Sequence, residues 1–234
     1  MPMFDLPRDQ LVDYSPDLPV PDDLDEFWSA TLTEFRAAAV PPSFELLGTG
    51  LTLVDTNDVI FSGFGGDHVR GWLHVPTRAT GPLPAVVRYQ GYGGGRALPH
   101  EAPFWTLAGC AALTRDTRGQ GAGWSTGDTP DPAGCAPSHA GFMTRGILDP
   151  ATYYYRRLFT DAVLAVDAVR ASPLVDQARI ALAGAARVAG WPSRPLRWCP
   201  TWSRRCRRAV PVRLTYRRRR PSGTAIPTRR SSAT

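Results

Sequence analysis

The sequence predicts an α/β fold: a mostly parallel sheet that is reached through antiparallel strands and followed by an arginine-rich tail. Three observations support this prediction. Residues 22–38 carry a helical period, residues 44–75 read as short strands divided by turns, and residues 84–184 alternate strands with helices. Such alternation is typical of a parallel sheet whose crossover connections are helical.

The first elements are predicted from periodicity. In residues 22–38, apolar side chains recur at three- and four-residue spacing, and acidic residues occupy the first turn, where the helix dipole favours negative charge. Three runs rich in β-branched and aromatic residues follow, divided by Thr-Asn-Asp and by a glycine-rich turn. These runs are residues 44–54, 58–61 and 69–75, and we expect them to form an antiparallel start to the sheet.

The pattern changes at Pro84. The short apolar run 85–89 predicts a strand covered on both faces, and it leads into the glycine-rich segment 91–96. The longest helical period lies in residues 152–171, where apolar side chains form one stripe. The other predicted elements are a helix over 100–107, a strand over 110–115, a long loop over 116–150 and a strand over 179–184.

Charge divides the chain into two predicted regions near Gly184. All 21 acidic residues lie at or before Asp176, so residues 1–184, with 13 arginines, carry a formal charge of −8. Residues 185–234 hold 14 arginines and no acidic residue, which gives +14. This tail mixes Arg, Pro, Ser and Trp without a regular period, and it buries too little apolar surface to offset chain entropy. We therefore predict a partial α/β domain over 1–184 and a disordered tail over 185–234.

Composition argues against several classes of protein. No run of 18 apolar residues indicates a membrane span, and the first ten residues do not resemble a secretory signal, so a cytoplasmic location is expected. The histidines are scattered, which argues against a zinc enzyme, and no cofactor is predicted. No C-x-x-C pair occurs among the four cysteines, which we expect to be free thiols: Cys110, Cys135, Cys199 and Cys206.

Several long motifs are shared with a known enzyme family. They are Met3-Phe4-Asp5-Leu6-Pro7, Phe27-Trp28, Gly91-Tyr92-Gly93-Gly94, Leu98-Pro99-His100, Asp116-Thr117-Arg118-Gly119-Gln120-Gly121, and residues 141–150, 153–157 and 159–163. Together they resemble the acetyl xylan esterase and cephalosporin-C deacetylase family (carbohydrate esterase family seven) over about residues 1–184. Motifs of this length are far more specific than a three-residue pattern.

The resemblance implies an α/β-hydrolase that removes acetyl groups from xylo-oligosaccharides and from cephalosporin-C-type esters. In such enzymes a serine attacks the ester, a histidine takes its proton, and an acid orients the histidine. The resemblance also implies that the backbone N–H of Tyr92 donates to the oxyanion, a role that suits a glycine-rich turn after a buried strand. The expected partner is an acetylated oligosaccharide or a small acetyl ester. No specific nucleic acid, membrane or family-type homo-oligomer is expected for a truncated chain.

The nucleophile elbow is absent from its expected place. A G-x-S-x-G turn should follow the strand that ends at Gly184, and the family has Gly-Gly-Ser-Gln-Gly-Gly there. The chain instead continues Ala-Ala-Arg-Val from residue 185, and no Asp, Glu or His follows Asp176. We therefore expect the chain to lack the nucleophile, the acid and the histidine, and to be inactive as written.

One serine satisfies G-x-S-x-G literally. Ser125 stands in Gly-Trp-Ser-Thr-Gly, inside the predicted loop, and is followed by Asp-Thr-Pro-Asp-Pro. Prolines at these positions disfavour the helix that an elbow must begin. We therefore do not expect Ser125 to be catalytic.

The composition of the tail suggests a lost reading frame. The chain has no lysine but abundant Arg, Ala, Gly and Pro, as a GC-rich coding sequence would give, and a shifted frame in such DNA yields Arg, Pro, Trp, Ser and Cys. With one choice of codons for residues 185–192, the shifted frame reads Ser-Gln-Gly-Gly-Gly-Leu-Ala, which is the missing elbow. The hypothesis is a frameshift just after Gly184, by mutation or by sequencing error.

Two other hypotheses remain. A tail of charge +14 attracts polyanions such as nucleic acid, so the chain is alternatively a non-catalytic binding protein. A stable non-catalytic scaffold is disfavoured, because the strand at 179–183 would become an exposed apolar edge.

Overall fold

The structure is a computed structural model that describes residues 7, 10, 19–101, 103–133 and 139–184. Within these residues, the strands are β1 (Ser43–Leu47), β2 (Val54–Ser62), β3 (His68–Pro76), β4 (Leu83–Tyr89), β5 (Ala111–Arg115) and β6 (Val175–Gly184). The helices are α1 (Leu24–Ala37), α2 (Phe104–Leu107) and α3 (Tyr154–Ala171), with a 3-10 turn at Phe64–Gly66.

The strands form one mixed sheet, which confirms the predicted fold class. Its order is β1-β2-β3-β5-β4-β6. Antiparallel pairing joins β1 to β2, β2 to β3 and β3 to β5, whereas β4 pairs parallel with both β5 and β6. The connections from β4 to β5 and from β5 to β6 run in opposite directions along the sheet. Right-handed crossovers therefore place α2 and α3 on opposite faces.

The main core lies between α3 and the sheet. Leu158 and Val166 of the helix are fully buried in one cluster with Val87 of β4 and Leu182 of β6. Burying side chains of this size stabilises a fold by about 1.5–3 kcal/mol each. Helix α1 packs on the outer side of α3, where the ring of Trp28 lies 5.8 Å from that of Phe159.

Two predicted strands have different bounds in the structure. The strand predicted over 44–54 ends at Leu47, because Gly50 has a φ of +76° and turns the chain away. The strand predicted over 58–61 extends over Val54–Ser62. Thr-Asn-Asp reads as a break in the sequence, but Thr56 is fully buried and donates to the carbonyl of Pro99 at 3.4 Å. Tertiary packing thus overrides the local preference of these polar residues.

The second half follows the prediction more closely. The helix predicted over 100–107 is only Phe104–Leu107, since Pro103 disfavours helical backbone at the residue before it. The described residues of the predicted loop 116–150 hold turns and isolated bridges, and α3 begins two residues later than predicted. Cys110 is a free, half-buried thiol. The predicted disordered tail and the other three cysteines lie outside the described residues. Among the helices described, none is long and apolar enough to cross a membrane.

The outer face of β6 is open among the described residues. A groove of about 620 Å³ runs beside β4 and β6 and is lined by Val86, Trp105, Ile180 and Ala181. Strand β6 has β4 as its only described neighbour, so the sheet ends there in this part of the chain. An apolar groove at a strand edge favours association with other chains.

A buried histidine in β3 gives the fold a predicted pH dependence. His74 is 1% exposed, its Nε2 lies 2.8 Å from the carbonyl of Pro99, and its Nδ1 has no hydrogen-bond partner among the described residues. Burial lowers the pKa of His74, and the nearby charge of Arg88 lowers it further. The folded state therefore binds fewer protons than the unfolded state, in which a histidine has a pKa of about 6.5.

We expect the stability of the fold to fall as the pH is lowered through about 6.5, by about 1 kcal/mol per pH unit until the native histidine is protonated. The variant His74→Gln keeps an N–H for the Pro99 carbonyl but cannot titrate. Urea denaturation at pH 7.5 and pH 5.5 measures the difference. A pH dependence that is the same in both proteins would contradict the assignment to His74.

Candidate active site

The candidate site lies at the carboxyl ends of two parallel strands. Strand β4 ends at Tyr89, strand β6 ends at Gly184, and these two residues are register partners. The carboxyl ends of parallel strands form the usual ligand crevice of open α/β sheets. The glycine-rich segment after β4 therefore emerges beside the point where the chain leaves β6.

Tyr92 is held in the loop after β4 by contacts at its side chain and its carbonyl group. The phenolic oxygen accepts hydrogen bonds from the backbone N–H groups of Gly141 at 2.7 Å and Phe142 at 3.2 Å. The carbonyl oxygen accepts a hydrogen bond from Nε1 of Trp124 at 2.9 Å. The Tyr92 ring also meets that of Phe142 edge to face, with centroids 5.6 Å apart. These contacts hold the residue for which the resemblance implies a role as oxyanion donor.

A chain of side-chain hydrogen bonds supports the next residue, Gly93. Its N–H donates to Oε1 of Gln120 at 2.6 Å, and Nε2 of Gln120 donates to the hydroxyl of Tyr154 at 2.8 Å. That hydroxyl donates to the carbonyl of Arg118 at 2.6 Å. Burial raises the pKa of the Tyr154 hydroxyl above its usual value, so the group stays protonated and keeps donating.

Two glycines of the loop are required by close approach. A Cβ atom at Gly94 would lie 2.5 Å from Cζ2 of Trp124, and one at Gly95 would lie 2.3 Å from the carbonyl oxygen of Thr126. A side chain at either position would push the loop away from residues 122–127. The glycine run therefore allows tight contact between two loops, beyond the turn itself.

Asp116 joins the same two loops. This carboxylate is fully buried and accepts four backbone hydrogen bonds. Oδ1 accepts from Arg96 at 3.1 Å and Thr117 at 3.0 Å, and Oδ2 accepts from Asp128 at 2.7 Å and Thr129 at 2.8 Å. The charge of Asp116 is thus compensated by backbone donors on both sides of the site.

Arg118 anchors the site to α3 and to the turn after β2. Its side chain is fully buried and makes a two-pronged ion pair with Asp161, with Nε to Oδ2 at 2.6 Å and Nη2 to Oδ1 at 2.8 Å. Nη1 also lies 3.0 Å from Oδ2 of Asp67. Burial alone lowers the pKa of Arg118, but the charge of Asp161 and its hydrogen bonds outweigh burial and raise that pKa. The guanidinium therefore stays charged.

Two cavities flank the Tyr92 loop. One, of about 370 Å³, is lined by Tyr92, residues 119–124, His139 and Phe142. The other, of about 400 Å³, is lined by residues 88–91, Phe104, Trp105, Trp124 and the last two residues of β6, Ala183 and Gly184. Trp124 stands between them and is 65% exposed. Each cavity is within the size range of small-molecule sites.

Comparison with known proteins assigns the family. The family model described as Acetyl xylan esterase (AXE1) matches residues 1–190, which is more than three quarters of the chain. The chain belongs to the acetyl xylan esterase family. This result confirms the resemblance stated from the motifs.

Two solved structures of acetyl xylan esterases resemble the chain. The enzyme from Paenibacillus sp. R4 is 36% identical with a TM-score of 0.71, and the match covers 80% of this chain and 58% of that one. The enzyme from Thermoanaerobacterium sp. JW/SL YS485 is 26% identical with a TM-score of 0.68, over the same two shares. The chain therefore spans less than two thirds of the length of these relatives.

In the described part of this acetyl xylan esterase family member, the contacts of Ser125 are not those of a catalytic serine. Its hydroxyl donates to the carbonyl of Gly95 at 3.0 Å and so ties the two loops together. His139 is exposed, with Nδ1 2.6 Å from the carbonyl of Ala140, and His74 lies inside the sheet. The position expected for the nucleophile, after Gly184, lies outside the described residues.

Sequence reasoning missed the residues that support the Tyr92 loop. Gln120 and Arg118 lie in the motif used for the resemblance, but no role was predicted for either. Tyr154 and Asp161 likewise lie in motifs used for the resemblance, without a predicted role. The signal was present in Tyr154, a hydroxyl-bearing side chain on the buried face of a helix, which must find a polar partner.

Replacing Ser125 with alanine is expected to remove one half-buried hydrogen bond and to lower stability by about 0.5–1.5 kcal/mol. It should leave ester hydrolysis unchanged in any form of the protein that shows activity. Initial rates with an aryl acetate, with and without a serine-directed inhibitor, test this. Loss of inhibitor-sensitive turnover in Ser125→Ala, with stability retained, would make Ser125 the nucleophile.

Proposed function

We propose that residues 1–184 are the acyl-transfer part of a serine esterase that removes acetyl groups from xylo-oligosaccharides and from small acetyl esters, including those of the cephalosporin-C type. One observation carries the proposal: the Tyr92 loop and the end of β6 lie side by side, because Tyr89 and Gly184 are register partners. Membership of the acetyl xylan esterase family supports the same chemistry.

This arrangement suits the stabilisation of an oxyanion. A serine placed just after β6 would attack the ester carbonyl, giving a tetrahedral oxyanion that collapses to an acetyl-serine with release of the sugar alcohol. Water then attacks the acetyl-serine, and acetate leaves. The backbone N–H of Tyr92 and the N–H of the residue after the serine would donate to the oxyanion in both steps. Because Tyr92 is tethered at its hydroxyl and its carbonyl, its N–H is held in place before the substrate binds.

We propose further that the serine, the acid and the histidine are encoded out of frame after Gly184. Residues 185–234 carry 14 arginines without an acidic residue, whereas residues 1–184 carry all 21 acidic residues. Addition of one base within codon 185 gives Gly-Gly-Ser-Gln-Gly-Gly at the end of β6, for one choice of codons. A chain that continues instead with Ala-Ala-Arg has no hydroxyl nucleophile at this position.

The test compares two forms of the gene. We expect the 234-residue chain to hydrolyse 4-nitrophenyl acetate no faster than buffer and to be poorly soluble, because the apolar groove beside β6 is open. We expect the native gene, sequenced across codons 183–192 and continued in the restored frame, to encode a soluble enzyme. That enzyme should release acetate from acetylated xylo-oligosaccharides.

Changing the serine of the restored elbow to alanine is the matched control and should abolish turnover. An intact frame in the native gene, or turnover by the 234-residue chain that a serine-directed inhibitor blocks, would contradict the proposed loss of frame. A restored enzyme that is folded but inactive on every acetyl ester would contradict the esterase assignment.

The alternative, a polyanion-binding protein, rests on the +14 charge of residues 185–234. Attraction of this kind is salt-dependent and needs no sequence recognition. A DNA mobility shift that disappears when residues 185–234 are deleted would show the charge effect alone. Selectivity for one nucleic-acid sequence would be required to favour binding over esterase function.

A further inference from the structure

We infer that Gln120 is a positioning residue for the Tyr92 loop: its side-chain amide sets the peptide group that joins Tyr92 to Gly93, and thereby helps to fix the position of the Tyr92 N–H. The inference rests on the proposed esterase function. It assigns a role to a side chain that needs no contact with the substrate.

The peptide group between Tyr92 and Gly93 is held at both ends. Its N–H, on Gly93, donates to Oε1 of Gln120 at 2.6 Å, and its carbonyl, on Tyr92, accepts from Nε1 of Trp124 at 2.9 Å. A peptide group is planar, so two hydrogen bonds on opposite edges fix its rotation. The distance to Gln120 is at the short end of N–H to oxygen hydrogen bonds.

The orientation of the Gln120 amide is itself determined. The Tyr154 hydroxyl donates to the Arg118 carbonyl at 2.6 Å, so it faces Gln120 with a lone pair and accepts from Nε2 at 2.8 Å. Rotating the amide by half a turn would set Nε2 against the N–H of Gly93, donor against donor. Gln120 is 9% exposed and Tyr154 is fully buried, so water does not easily replace these bonds.

Fixing this peptide group helps to place the Tyr92 N–H. The Tyr92 side chain is tethered at its far end by the N–H groups of Gly141 and Phe142. At the tetrahedral Cα atom, the directions to Cβ and to the carbonyl carbon then set the direction to the nitrogen. The N–H itself lies in the peptide group between Gly91 and Tyr92, whose carbonyl, on Gly91, accepts from the N–H of Gly94 at 3.2 Å. Displacement of a catalytic donor by about 1 Å costs on the order of 100-fold in rate. The hydrogen-bond chain from Gly93 through Gln120 to Tyr154, here called the Gln120 relay, therefore supplies preorganisation to the site.

Hydrogen exchange on the soluble fraction of the 234-residue chain tests the relay without any need for turnover. In Gln120→Leu we expect faster exchange in a peptide covering residues 91–95, whereas Gln120→Glu, which retains an acceptor for Gly93 but loses the donor to Tyr154, should keep part of the protection. Thr160→Val is the matched control, since it removes a buried hydrogen bond to the Arg156 carbonyl in α3. Equal protection of residues 91–95 in Gln120→Leu and the original chain would overturn the inference.

Kinetics on the frame-restored enzyme provide the second readout. Gln120→Leu is expected to lower kcat per titrated active site by about 10- to 100-fold with KM changed less than about 2-fold, because the N–H of Tyr92 acts on the oxyanion. Thr160→Val should leave kcat per active site unchanged. An unchanged kcat in Gln120→Leu would overturn the positioning role. If the restored enzyme hydrolyses no acetyl ester, the proposed function fails, and hydrogen exchange still decides whether the relay exists.

Discussion

Replacing Asp161 with asparagine is expected to destabilise the fold by about 3–5 kcal/mol, because it removes the charge that compensates a buried arginine. Arg118 is fully buried, and both of its bonds to Asp161 are 2.8 Å or shorter. Oδ1 of Asp161 also accepts the N–H of Phe64 at 2.8 Å. All three groups that face Asp161 are hydrogen-bond donors. The amide nitrogen of asparagine is also a donor, so it would face at least one of these groups with no acceptor available.

The remaining acids do not replace Asp161. Asp67 reaches one nitrogen of Arg118 at 3.0 Å, and Asp131 lies 3.4 Å from the same nitrogen while it also pairs with Arg157 at 2.7 Å. A guanidinium does not lose its proton inside proteins, so Arg118 cannot escape the cost by becoming neutral. The positive charge would stay buried with less compensation.

The control for Asp161→Asn is Asp167→Asn, also on α3. Asp167 pairs with Arg36 at 2.8 Å, but both side chains are about a third exposed. Pairs of this kind contribute about 0–1 kcal/mol. Urea denaturation of both variants gives the comparison, with the slope checked for a change in the unfolded state. Similar small losses in the two variants would show that the Arg118 pair adds little.

If Asp161→Asn does not fold, a double variant keeps the prediction testable. Arg118→Met combined with Asp161→Leu removes both charges and fills the space with apolar groups. Buried ion pairs can often be replaced in this way at little cost. We expect the double variant to be more stable than Asp161→Asn alone, and the reverse order would contradict the electrostatic explanation.

Elements with strong local periodicity were predictable from the sequence. The apolar stripe of α3 and the short apolar run of β4 are formed by residues close together in the chain, so the local sequence pattern is enough to predict these two elements. The extent of β2 was not predictable, because Thr56 is accommodated only through a carbonyl more than forty residues later. The short α2 shows the same limit, since its length is set by Pro103 and by packing.

The candidate site was predictable only in part. The glycine run and Tyr92 follow a buried strand, which is a local signal. The supports of that loop are not local: Gln120 is 27 residues from Gly93, and Tyr154 is 34 residues from Gln120. A single sequence contains no pattern that brings such residues together. Pairing of Tyr89 with Gly184 likewise follows from strand order, which the sequence left open.

Replacing Asp116 with asparagine is expected to cost about 3–6 kcal/mol, because at least two buried N–H groups would lose their acceptor at about 1–3 kcal/mol each and the new amide nitrogen would be unsatisfied too. The carboxylate accepts two backbone bonds at each oxygen, from Arg96 and Thr117 at Oδ1 and from Asp128 and Thr129 at Oδ2. Whichever oxygen becomes the amide nitrogen of asparagine, two N–H donors would point at another donor. The fit around the carboxylate is tight enough to require glycine at position 127, since a Cβ atom there would lie 2.4 Å from Oδ1 of Asp116.

Loss of the Asp116 bonds is expected to release the loops as well as to lower stability. Either Arg96 or Asp128 would lose its bond to residue 116, so the link between the two loops would break, and amide hydrogen exchange should rise in residues 93–97 and 126–130 before it rises in the core strands. Asp128→Asn is the neighbouring control: its carboxylate is 53% exposed and it keeps an oxygen for Arg96, so a loss of about 1 kcal/mol or less is expected. A loss in Asp116→Asn no larger than that, or exchange that rises evenly through the sheet, would show that Asp116 does not hold the two loops. All four backbone donors to Asp116 lie between residues 96 and 129, so this anchor of the Tyr92 loop is built entirely from residues that precede β6.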